Sequence, residues 1–417
     1  MLRDKTIFAL LAAALLGVGL MLVRFTPMVM KPRQGVWLAL ECLAILLLFF
    51  LKEYRSDTPA LRALAASRGT AWAFMLAALA LDFAVLVYGE SHLGARHYLF
   101  LGGFGLRVSP VSFLLVMAFV SLRLGQRPAG RCEFLAILAA LAAHFLFLSF
   151  QPDLVMFFIQ LACLLIVGLL GESKKDLIVL LTATQVVFGL PFVLMGLGTL
   201  ERTSVWLFDP ASDPYKASYQ LGKMLRAFQA SGLWGAENAA ALQNRLTLPE
   251  EPTVNALPHL SLLWGNVATA VCVALLLALM WILLLRIARL ENPVVRNGTF
   301  GVWVFLAFTQ LGGVGAPLCL APLPLNWGLA FVGSQSLGGL LLLLAMVCWA
   351  APATGSGGIG AFLRRGFLWR KETQPGVDTR LLADAWRFAA QRSRGQNDPG
   401  AERGLETMGT TTEIRRQ

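Results

Sequence analysis

Apolar residues in this chain gather into long unbroken runs, and the polar residues cluster in the short stretches between them. The runs lie near 7–23, 35–51, 70–88, 107–122, 132–149, 154–171, 177–198, 260–285, 299–317 and 332–351. Most reach or approach the ~20 residues that cross a hydrocarbon core of ~30 Å at ~1.5 Å per helical residue. A backbone in lipid must bond to itself, so the pattern predicts an all-α integral membrane protein of about ten transmembrane helices. The first run follows Arg3 and Lys5 as a signal peptide would, but no small-residue cleavage site follows and nine more runs do, so it reads as a retained helix.

Composition agrees with lipid as the solvent. Of 417 residues, 57% are hydrophobic and 14% charged, which excludes an ordinary soluble domain. The net charge of +11 has a topological reading. With the N-terminus inside, the cytoplasmic segments carry Arg3, Lys5, Lys52, Arg55, Arg62, Arg68, Arg123, Arg127, Arg131, Lys174, Lys175, Arg286, Arg289 and Arg296. The short outer loops carry only Arg24, Lys31, Arg33, Arg96 and Arg107. This bias predicts N-in and, for an even number of spans, C-in. No basic stripe with interleaved aromatics suggests nucleic acid. Among six cysteines, Cys42, Cys163, Cys272 and Cys348 fall inside spans and no CxxC pair occurs, so neither a disulfide framework nor a zinc site is expected.

Two segments interrupt the alternation of spans and short loops. Residues 199–258 form a long polar loop between the seventh and eighth spans, on the outside in this topology, and loops of that length are usually functional. Within it Leu221, Met224, Leu225 and Phe228 recur at helical spacing opposite Lys223 and Arg226. That pattern predicts a short amphipathic helix, lying on the membrane surface or packed on the bundle. The chain thus divides into a polytopic domain, 1–351, and a cytoplasmic tail, 352–417, holding eleven Lys/Arg against seven Asp/Glu. Arg364, Arg365, Arg370 and Lys371 sit where anionic head groups attract cations. Leu381, Leu382, Trp386 and Phe388 suggest one more helix, and the composition beyond Arg394 is that of a disordered segment.

The polar punctuation, read in order, resembles the SEDS family of bacterial shape, elongation, division and sporulation proteins, typified by FtsW and RodA. Arg33-Gln34 followed by Val36-Trp37 resembles the opening of the family's second span, and Gln151-Pro152-Asp153-Leu154 its motif between the fifth and sixth. The longest match is Phe208-Asp209-Pro210, Asp213-Pro214-Tyr215, Tyr219-Gln220-Leu221, Ala227-Phe228 and Gly232-Leu233-Trp234-Gly235, continued by Leu248-Pro249-Glu250. Ser334-Gln335-Ser336-Leu337-Gly338-Gly339-Leu340-Leu341 sits where the family has a Ser/Gly-rich start to its last span.

The resemblance implies a protein of the bacterial cytoplasmic membrane that binds lipid II, a glycan on a polyprenyl diphosphate, beside a single-span class B penicillin-binding protein. Polymerising that substrate requires a base for a sugar hydroxyl and cations or backbone donors for the departing diphosphate. The family's base is an aspartate following Leu-Pro-Glu-x-His-Thr, and here that position is Val254, with Pro252 in place of the histidine. A shifted register that puts His259 on the histidine puts Ser261 on the aspartate. The scaffold therefore predicts precursor binding, whereas Val254 predicts slow polymerisation or none.

Glu250 and Glu251 are the carboxylates near the expected catalytic position, and they are the candidate replacement base if the chain is an active glycosyltransferase. Arg202, Lys216, Lys223, Arg226 and Arg245 are the candidate diphosphate ligands, with Asp153, Asp213 and Gln220 drawn from matched stretches, although Asp-Pro pairs also shape turns. No cofactor is called for, and a divalent cation beside the diphosphate is compatible with these residues. Glu41, Asp82 and His144 fall within spans. A charge there costs about 2.5 to 3.5 kcal/mol on insertion scales, so each is expected to face the bundle interior or a cavity. A lipid-linked sugar flippase or transporter, using these three residues, is the alternative from another class.

Overall fold

In a computed structural model the described residues are 2–25, 32–51, 67–92, 95–101, 104–124, 131–151, 154–170, 219–239, 242, 256–315, 318, 330–332 and 335–353. The chain divides into two units, Met1–Phe367 and Leu368–Gln417, and all described residues lie in the first. The helices are α1 Leu2–Phe25, α2 Pro32–Phe50, α3 Arg68–Tyr88, α4 Val108–Leu124, α5 Arg131–Phe150, α6 Leu154–Leu170, α7 Tyr219–Ser231, α8 Ala256–Ala288, α9 Pro293–Gly315 and α10 Gln335–Ala350. Four contain stretches long and apolar enough to cross a membrane by length and composition: Asp4–Leu22, Arg68–Tyr88, Ala256–Ala288 and Val294–Gly315. Five others carry shorter apolar stretches. The predicted span at 177–198 lies outside the described residues.

One local feature departs from an all-α chain. Between α3 and α4 the connecting segment forms a small antiparallel sheet of β1 Glu90–His92, β2 Ala95–Leu101 and β3 Phe104–Arg107, in that order. Gly89 stops α3 in an extended conformation while its amide still bonds Val85 O at 2.8 Å. Tyr98 pairs with Glu90 on one side and Arg107 on the other. The chain between strands reads Leu93-Gly94 and Gly102-Gly103, the two-residue lengths and glycines that tight hairpins favour. A segment this short between two apolar runs is hidden from a reading based on hydropathy.

The bundle packs around one continuous apolar core drawn from α1–α6 and α8–α10. Rings lock its layers: Phe8 of α1 lies 4.9 Å from Trp349 of α10, and Phe113 of α4 lies 5.0 Å from Phe305 of α9. Trp303 of α9 donates its indole N–H to Met280 O of α8 at 2.9 Å, so the ring's polar edge is satisfied without water. Apolar side chains such as Leu46, Leu76, Phe83, Phe158 and Val271 point outward and exposed, as a lipid-facing shell requires.

Cations gather at one end of this bundle and close the helix C-termini there. Lys5 Nζ donates to Phe49 O at 3.2 Å and Leu51 O at 2.8 Å, capping α2. Arg286 donates from Nε to Cys348 O at 2.9 Å and from Nη2 to Ala351 O at 2.8 Å, capping α10. Terminal carbonyls lack intrahelical partners, and basic side chains favour the negative end of the helix dipole. Arg289 meets Asp4 at 3.4 Å, half-exposed, and Arg123 of α4 pairs with Glu133 of α5. The start of α1 and the end of α10 thus lie at the same end of the bundle.

The candidate functional site

Among the described residues the long loop begins with α7, whose predicted apolar face turns inward. Met224 and Ala227 are buried and Phe228 packs on the core, while Arg226 is exposed and Lys223 half-buried. The helix is packed on the bundle, one of the two placements expected of it. It lies against the N-terminal part of α8, at the end of the bundle opposite Lys5 and Arg286.

That contact is backbone against backbone. α8 is broken at Gly265 (φ 87°, ψ 171°), which separates a buried first segment, 256–264, from the long apolar segment after it. The turn after α7 crosses the break: Asn266 N bonds Gly232 O at 3.1 Å, Val267 N bonds Leu233 O at 3.3 Å, and Ala236 N bonds Leu262 O at 2.9 Å. Asn266 Nδ2 donates to Phe228 O at 3.1 Å, and Ser261 Oγ to Asn266 Oδ1 at 2.5 Å. A Cβ on Gly265 would run into the Leu233 carbonyl, and one on Gly235 (φ 103°) would come 2.8 Å from Leu263 O. Both positions demand glycine, by conformation and by space. The family-like Gly232-Leu233-Trp234-Gly235 is the strap that fixes the loop to the span.

His259 and Ser261, the residues that the shifted register brings to the histidine and aspartate positions, are both buried, and the Ser261 hydroxyl is engaged with Asn266. Among the described residues of the loop, the carboxylate present is Glu237, exposed on the turn after α7. The candidate base residues Glu250 and Glu251, and Val254, lie outside the described residues, as do Arg202, Lys216, Arg245, Asp153 and Asp213. Gln220 falls in the first turn of α7, and its side chain lies outside the description. Among the described residues no cluster of three or more His, Cys, Asp or Glu is arranged to hold a metal ion.

The intramembrane polar residues are buried as expected, with Glu41 1% exposed and Asp82 and His144 fully buried. Asp82 of α3 and His144 of α5 meet at 2.7 Å, Oδ2 to Nδ1. His144 Nε2 lies 2.8 Å from Gln160 Oε1 of α6, whose amide donates onward to Ser109 O of α4 at 3.0 Å. Gln151, from the Gln-Pro-Asp-Leu stretch, donates to Asp82 O at 3.3 Å. One histidine thereby ties four helices through hydrogen bonds, the means by which polar groups are tolerated in lipid. Gln160 escaped the sequence reading, because it is uncharged; a lone glutamine in an apolar span was the available signal, whereas Ser109 takes part through its backbone carbonyl.

Glu41 is held differently. Its carboxylate makes no hydrogen bond of normal geometry and lies over the first turn of α10, towards the Gly339 amide. A Cβ at Gly338 would collide with Glu41 Oε1. Phe331, just before α10, is fully buried with φ at 68°, and its chain is steadied by Ala330 N bonding Gln310 Oε1 at 2.9 Å.

A bundle of apolar helices with polar groups paired inside and a loop strapped to one end defines a polytopic membrane protein. The model of the cell cycle protein family FtsW/RodA/SpoVE matches residues 6–349, and the chain belongs to that family, the SEDS family. A probable peptidoglycan glycosyltransferase FtsW of Aliivibrio salmonicida is 30% identical over 262 residues, 60% of this chain and 64% of that protein. One from Tolumonas auensis is 26% identical over 286 residues, 66% of this chain and 73% of that protein. The fold matches a chain from a peptidoglycan synthase complex that coordinates polymerization and crosslinking, with a TM-score of 0.61 and 23% identity, covering 86% of this chain and 96% of that one. It also matches Thermus thermophilus rod shape determining protein RodA in an aspartate-to-alanine variant, with a TM-score of 0.53 and 20% identity, covering 82% of this chain and 95% of that one.

Proposed function

We propose that this chain works in bacterial cell-wall synthesis as a lipid II-binding protein of the cytoplasmic membrane that lacks ordinary polymerase activity. The observation that carries the reading is Val254 at the position of the family's aspartate, together with the burial of His259 and Ser261, so that neither register presents a base. General-base assistance contributes about 100 to 10,000-fold in rate, so a site without it is slow even when substrate binds. The proposed topology is ten spans, N-in and C-in, with the long loop outside. In support, the cation-rich end that holds the start of α1 and the end of α10 lies opposite α7.

The precursor meets the protein through its diphosphate, for which Arg226 and Lys223 stand one helical turn apart on α7. Reversing both charges is expected to weaken capture of lipid II on lipid-coated beads. A single-span class B penicillin-binding protein is the proposed partner, in keeping with the synthase complex whose chain shares the fold.

The rival is an active glycosyltransferase that uses Glu250 or Glu251. Polymerisation of labelled lipid II by the purified protein, alone and with a penicillin-binding partner, separates the two. The wild type is expected to make little or no glycan. Robust synthesis that disappears in the Glu250→Gln, Glu251→Gln double variant would overturn the proposal. The transport alternative is less well supported, because Glu41 contacts α10 whereas Asp82 and His144 pair across α3 and α5.

A further inference from the structure

Leu233 and Trp234 are large apolar residues that the fold holds outward. They are 64% and 80% exposed at the tip of the turn after α7, while Met224 and Ala227, a few residues earlier, are buried against α8. Exposed tryptophan on a flexible loop would say little. Here the backbone fixes it: the Leu233 carbonyl accepts from Val267 N, the Gly232 carbonyl accepts from Asn266 N, and Gly232, Gly235 and Gly265 all take positive φ to make the crossing.

These bonds set the height of the tip. Asn266 and Val267 begin the membrane-crossing part of α8, and Val267, Val271, Leu277 and Trp281 are exposed down its length. Trp281 lies 14 residues beyond Val267, or about 21 Å along the axis, and so sits towards the far boundary of the apolar core. The start of α8's lipid-facing stripe, and the tip bonded to it, therefore fall at the near boundary. Tryptophan is the side chain suited to that depth, with an apolar body for the acyl region and an N–H for the head groups. Arg226, exposed on the same helical hairpin, brings a cation to the level of lipid phosphates.

We propose that Leu233 and Trp234 form an interfacial finger that inserts into the head-group and upper acyl region of the bilayer and holds α7 against the membrane. The partner is a lipid surface. The inference rests on α8 crossing the membrane and is independent of whether the protein polymerises or binds lipid II.

The test places a nitroxide label at Trp234→Cys in the full chain, in nanodiscs, with the six native cysteines replaced by alanine. Collisions with oxygen and with a water-soluble nickel chelate are compared with those of a label at exposed Glu237, three residues on. Position 234 is expected to keep its oxygen collisions and lose its nickel-chelate collisions relative to 237. Nickel access equal to that at 237 would place the tip in water, and shielding from both reagents would place it under protein; either result overturns the proposal. A second measurement needs no cysteine removal: the fluorescence difference between wild type and Trp234→Phe, the share that belongs to Trp234. That share is expected to be quenched by nanodisc lipids brominated near the head group and to resist iodide. The reverse pattern overturns the finger.

Discussion

The two acids buried among the described residues, Asp82 and Glu41, are accommodated in opposite ways. Asp82 sits in a side-chain network in which His144, Gln160, Gln151 and the Ser109 carbonyl answer one another across four helices. Glu41 has no side-chain partner and lies over the first turn of α10, towards the Gly339 amide, where the absence of a side chain at Gly338 makes room. The difference teaches that a single charge in a span does not announce its role. In the first case the neighbours are specified by their chemistry, in the second by the absence of a side chain.

The comparison breaks most visibly at His144. His144→Ala leaves Asp82 and Gln160 buried without their shared partner, and the loss of one member of a buried pair costs about 3 to 5 kcal/mol. Thermal unfolding in detergent should show a large loss for His144→Ala and a smaller one for the Asp82→Leu, His144→Leu double variant. Equal losses for the two would mean that the pair is not coupled.

The backbone-held sites should cost less. Gly265→Ala forces an alanine to positive φ against the Leu233 carbonyl, a strain of about 1 to 3 kcal/mol. Its signature is local, seen as faster proteolysis within 219–239 before global unfolding. Gly338→Ala is expected to cost about 1 to 3 kcal/mol by overpacking against Glu41 and Phe331. Adding Glu41→Ala should recover part of that loss, because the Phe331 contacts remain; no recovery would remove Glu41 from the account.

The smallest effect is Glu41→Gln, which keeps the shape of a group without side-chain partners. A change within about 1 kcal/mol is expected, since the substitution breaks no side-chain hydrogen bond and one such bond contributes on that scale. A loss comparable to that of His144→Ala would erase the contrast between the two acids.

The apolar helices were legible because lipid imposes one demand on every residue of a crossing helix, and apolar runs satisfy it with little ambiguity. The inward orientation of Glu41, Asp82 and His144 followed from the same demand. What a charge pairs with was not legible: Gln160 lies 16 residues beyond His144, and the Ser109 carbonyl exists at every position of every chain. The strap at Gly235 and Gly265 was half visible, as a family-like motif whose mate 30 residues on carries no side chain to betray it. The sheet between α3 and α4 was missed because strands of three to seven residues with short connectors look like a loop when only long apolar runs are sought.

The crossing of the α7 turn over α8 also orders events at the ribosome. α7 has 13 residues, about the length at which an isolated helix is marginal in water. Its anchors, the amides of Asn266 and Val267 and the Leu262 carbonyl, are made only after the loop between them has been synthesised. At about 5 to 20 residues per second, the nascent loop waits a few seconds for them. During that interval Leu233 and Trp234 have no strap, and the docking of α7 is completed only once α8 supplies those amides and that carbonyl.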